Sequence, residues 1–72
     1  MELYLMEKQT PIDIAVSAVG GKQKDLAKKV GLTPQRISAI KKNGGSLPRT
    51  KMREFMMATG LSKEVLYPDI FH

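Results

Sequence analysis

A chain of 72 residues with a formal charge of +5, no cysteine and a single histidine builds one small domain, with a large surface for its core and no room for a second, catalytic one. Disulfides and thiolate metal sites are excluded, and His72, at the end of the sequence, reads as a solvated residue rather than a ligand. No apolar run approaches a membrane span and no basic-then-apolar leader opens the chain, so a soluble, cytoplasmic protein with no metal and no cofactor is expected.

The charge is unevenly placed. Residues 21–54 hold ten Lys/Arg against Asp25 and Glu54, a balance of +8, whereas residues 1–20 carry −2 and residues 55–72 carry −1. Taken singly, each lysine is an ordinary solubilising side chain; concentrated in one stretch of the chain, they predict a polyanionic partner.

Residues 1–9 form an N-terminal arm and residues 10–72 the domain. Leu3, Tyr4, Leu5 and Met6 run together without clear alternation or helical spacing, so strand and helix both stay open. The arm is either a tail packed on the core or a device joining two protomers. A first helix begins cleanly after it: Thr10 caps, Pro11 takes the first position and Asp13 reaches back as in a capping box. Ile12, Val16 and Val19 are expected to face the core, and Gly20-Gly21 ends the helix. Gly20-Gly21-Lys22 is not a phosphate-binding loop, which needs a preceding strand, a longer spacing and a Ser/Thr after the lysine.

The second helix runs from Gln23 to Val30, with Leu26, Ala27 and Val30 inward. Gly31 follows in the left-handed conformation that glycine adopts without a Cβ clash, and Leu32 drops into the shared core. Lys22 and Lys24 stand at the start of this helix, where the dipole disfavours cations and Asp25 offsets them only in part. Such a local conflict is expected where a helix terminus binds phosphate.

Thr33 caps a third helix that Pro34 opens and that extends to Lys42. Ile37 and Ile40 point inward. The opposite face at 100° per residue carries Gln35, Ser38, Ala39 and Lys42, with Arg36 on its flank. These residue types suit base edges: Gln35 can pair bidentately with adenine, Arg36 can reach guanine or a phosphate, Ser38 can donate or accept, and Ala39 can touch a thymine methyl or let the backbone approach. Lys42 adds a phosphate contact. Asn43-Gly44-Gly45-Ser46 is a sharp loop, Leu47 plugs the core, and Pro48 opens a fourth helix with Met52, Phe55 and Met56 inward and Met57 exposed. Arg49, Lys51 and Arg53 again put cations at the unfavourable helix end. A second phosphate contact is expected there from Arg49, Thr50, Lys51 and the free N–H groups of the first turn. Gly60 ends this helix, Ser62 caps a short fifth one through Leu66, and Pro68 terminates it. The apolar tail from Leu66 to Phe71 either folds back over the bundle or meets a second protomer.

The register Gln23, Leu26-Ala27, Val30-Gly31-Leu32, Ile37, Ile40 resembles the helix-turn-helix of phage Cro and cI repressors. From about Ile12 to Phe71 the chain is similar to small Cro-type repressors and YdaS-like prophage regulators, including the proline-opened fourth helix and the closing Leu-x-Pro-Asp-Ile-Phe. The resemblance implies an all-α, five-helix, lambda-repressor-like DNA-binding bundle. In cI-type members the residues matching Gln23, Thr33 and Gln35 touch DNA; Pro34 stands where those members often have glutamine.

The expectation is a non-enzymatic, sequence-specific repressor that places the helix 33–42 in the major groove of a two-fold double-stranded DNA operator. One recognition helix reads only a few base pairs, so a homodimer is expected, one whose pairing can be completed on the DNA. The alternative is a protein-interaction module on the same scaffold, such as an antitoxin that masks a toxin. No carboxylate pair, activated nucleophile or metal cluster points to catalysis.

Overall fold

The computed structural model describes residues 9–68 and residue 70. Nearly all of the expected arm lies outside the described residues, as do Asp69, Phe71 and His72. The described chain is helical throughout: α1 (Pro11–Ala18), α2 (Gln23–Val30), α3 (Pro34–Lys42), a 3₁₀ turn (Arg49–Lys51) running into α4 (Met52–Thr59), and α5 (Lys63–Leu66). No strand occurs among the described residues.

The capping box at α1 forms as the sequence suggests. The Thr10 hydroxyl accepts the Asp13 N–H and the Asp13 carboxylate accepts the Thr10 N–H, both at 3.4 Å. The inward face differs from expectation: Ile12 and Ala15 are buried, whereas Val16 and Val19 are only half-buried against the core. α1 contacts α2, α3, α4 and α5, and the small Ala15 is fully buried.

Between α2 and α3, Gly31 adopts φ +74° and the Leu32 N–H donates to the Ala27 carbonyl at 2.8 Å, which satisfies an end-of-helix acceptor. Thr33 then accepts the Arg36 N–H on its hydroxyl at 3.1 Å, starting α3. Leu26, Ala27, Val30, Ile37 and Ile40 are all buried, while Leu32 is half-buried. Asp13 of α1 and Lys41 of α3 pair at 3.4 Å across the outside of the bundle.

The loop after α3 does more than turn. The Gly45 N–H donates to the Ile40 carbonyl at 2.8 Å, and its own carbonyl accepts the Ile12 N–H at 3.0 Å, so one residue ties the end of α3 to the start of α1. Gly45 is buried with φ +82°, and a Cβ placed on it would run into the Thr10 side chain.

Two local expectations need correcting. Pro48 does not open α4 directly: the Lys51 N–H donates to the Pro48 carbonyl at 3.1 Å, a tighter 3₁₀ closure, and the α-helix begins at Met52. Ser62 occupies the cap position of α5, but its side chain makes no capping hydrogen bond; its carbonyl instead accepts the N–H groups of Val65 and Leu66. The described part of the tail folds back. Leu66 and Tyr67 are buried, Ile70 packs on the core, and the Tyr67 hydroxyl donates to the Pro48 carbonyl at 2.7 Å.

Candidate nucleic-acid interface

With Ile37 and Ile40 turned into the core, helical geometry leaves Gln35, Arg36, Ser38, Ala39, Lys41 and Lys42 exposed along α3. The N-terminal residue of α2 lies beside this face. Gln23, Pro34, Gln35, Ser38, Ala39 and Lys42 together line an open concavity of about 400 Å³. Five residues expected from the sequence to touch a partner thus share one surface: two amides, a hydroxyl, a methyl group and a cation. Pro34 joins them unexpectedly. It belongs to the same stripe, one turn before Ser38, and the spacing 34, 35, 38, 39, 42 is the signal that includes it.

The other candidates sit around this concavity rather than in its lining. Arg36 is exposed on the flank. The Thr33 hydroxyl already accepts the Arg36 N–H, which leaves its own proton free for an outside acceptor. Lys22 and Lys24 are exposed at the start of α2, and Arg49 and Thr50 are exposed on the 3₁₀ turn. Lys51 is different. It is half-buried, and its Nζ lies 3.5 Å from where a Cβ would stand on Gly31, at the C-terminal end of α2. A helix C-terminus favours a cation, so Lys51 has a structural reason for its place independent of any phosphate. Lys22, Lys24, Arg36, Lys42 and Arg49 make no ion pair with another described residue; Lys41 is held by Asp13.

Among the described residues two ionisable groups are displaced from their ordinary values, and neither lines the concavity. Burial alone would push the Asp13 carboxyl up, but hydrogen bonds from Thr10 and the charge and hydrogen bond of Lys41 outweigh it and hold the group below its usual range. Burial, with the Glu54 carboxylate nearby, pushes the Tyr67 phenol up to about 12. None of the described helices is long and apolar enough to cross a membrane.

Fold and face together define a small protein, all-helical among its described residues, that presents an amide- and cation-bearing helix surface. The chain is 63% identical over 62 residues to the gene 30 protein of Enterobacteria phage phi80, a match spanning 86% of this chain and 85% of its relative, and it belongs to that phage protein family. No family model matches it, and no solved structure matches it. Phage kinship agrees with the phage side of the resemblance to Cro, cI and YdaS-like proteins, without joining the chain to any of those families.

Proposed function

We propose that this is a Cro-like, sequence-specific DNA-binding regulator of phage type, in which α2, the Gly31 turn and α3 act as a helix-turn-helix and α3 enters the major groove of a two-fold operator. The observation that carries the reading is the shared surface formed by Gln23, half-buried at the start of α2, with Gln35, Ser38, Ala39 and Lys42, which are exposed on the side of α3 opposite the buried Ile37 and Ile40. Amides match the paired donor and acceptor of adenine, and the surrounding cations match phosphates. Gln35, Arg36, Ser38 and Ala39 read bases. Gln23, Thr33, Lys22, Lys24, Lys42, Arg49 and Thr50 hold the backbone, with Lys51 acting both there and on the end of α2. The role requires no catalysis and no cofactor. It is exercised as a homodimer in the cytoplasm of a bacterial host, on the nucleoid.

Selection from a random duplex pool, sequenced at two salt concentrations, tests this. The expected result is an enriched two-fold motif whose affinity falls steeply with salt. Steep salt dependence with no motif would reduce the protein to a non-specific polyanion binder. A second reading, a protein-interaction module of antitoxin type, draws on Met57 and Val65, large apolar side chains exposed on α4 and α5. Singly exposed apolar residues are common on any surface, so this reading is the weaker. Absence of DNA binding at either salt would turn the assignment toward it.

A further inference from the structure

The concavity on α3 mixes two chemistries. Gln23 and Gln35 bring amides and Lys42 brings a cation, but the pyrrolidine ring of Pro34 and the methyl of Ala39 line the same hollow and offer nothing to a hydrogen bond. Both residues are exposed, so neither is there to complete the core. An occupant that satisfies every wall has an apolar projection set directly beside a donor–acceptor edge, and it lies next to an anion. In the major groove an A·T pair meets this description. Thymine carries its C5-methyl beside the O4 acceptor, and adenine follows with N6 as donor and N7 as acceptor. A side-chain amide is both donor and acceptor and so complements adenine, while proline and alanine complement only the methyl.

We propose that Pro34 is a specificity-determining residue which, with Ala39, seats the C5-methyl of one thymine in each half-site while Gln35 pairs with an adjacent adenine. This rests on the DNA-binding reading above and adds to it the identity of the group recognised. The consequence is discrimination between thymine and uracil, bases that pair identically and differ by that methyl alone.

The experiment starts from the operator selected in the random pool. Each thymine is replaced in turn by deoxyuridine, and binding is measured for the natural protein and for Pro34→Ser, Ala39→Ser and Gln35→Ala. The natural protein should lose about fourfold in affinity at one thymine in each half-site, the loss that follows from leaving one methyl group unburied. Pro34→Ser should bind the thymine and deoxyuridine operators alike at that position. Ala39→Ser should shrink the difference, and Gln35→Ala should keep it. Ala39 is exposed within α3 and its serine variant leaves the helix start untouched, so the test survives should Pro34→Ser weaken the fold. An operator insensitive to every deoxyuridine would overturn the assignment, as would a methyl effect of unchanged size in both serine variants. In either case the regulator reading stands. Failure to enrich any operator is a separate result and removes both.

Discussion

At the scale of single residues, Gly45 and Gln35 separate structure from the recognition proposed above. Gly45 combines a positive φ with a neighbour in the space a side chain would need, whereas Gly44 has φ +99° and open space, with nothing within 4 Å of where a Cβ would stand. Gly44→Ala should therefore cost about 1–2 kcal/mol of strain alone. Gly45→Ala adds overpacking against Thr10 and should cost about 2–5 kcal/mol in all. Urea unfolding of the two variants checks this; equal losses would remove the Thr10 contact from the explanation. Gln35 is exposed, so Gln35→Ala should leave stability nearly unchanged while costing about 1–3 kcal/mol of discrimination at one operator position. Selection repeated with the variant reads this directly, and an unchanged sequence profile would take Gln35 out of base recognition.

At the scale of elements, the α2–α3 unit was legible because its signals are local. Gly31, Thr33 and Pro34 each fix a helix end through their own backbone chemistry, and the spacing of Leu26, Ala27, Val30, Ile37 and Ile40 fixes the inward faces. What was not legible depends on partners distant in sequence. Ala15 outranks Val19 in burial because four helices meet α1, and Gly45 is a packing residue because Thr10 lies over it. The 3₁₀ turn belongs to the same class: the Pro48 carbonyl receives both the Lys51 N–H and, from nineteen residues along the chain, the Tyr67 hydroxyl. That turn carries Arg49, the exposed one of its two cations in the proposed interface. Arg49→Ala should weaken binding to all sequences alike and lower the salt slope by about one. Loss confined to particular sequences would make Arg49 a base reader instead.

At the scale of the whole molecule, one partly exposed pairing links stability to acidity. The Asp13 carboxyl is held below its ordinary value in the folded state by Thr10 and Lys41, so its contribution is present above the unfolded value and is lost as pH falls through the folded one. Below about pH 4 the thermal midpoint should fall more steeply for the natural protein than for Asp13→Asn, which lacks that titration; parallel acid curves would show that the pairing contributes nothing. The pairing also bears on how α3 is held. One end of the helix is fixed by the Thr33 hydroxyl, and the other is fastened to α1 through Gly45 and the Asp13–Lys41 bridge. Most of the entropy of ordering α3 is therefore lost when the chain folds, before any partner arrives. Association should then proceed as the meeting of two preformed surfaces, with a small heat-capacity change and amide exchange at Ile12 and Gly45 that is slow with or without the partner.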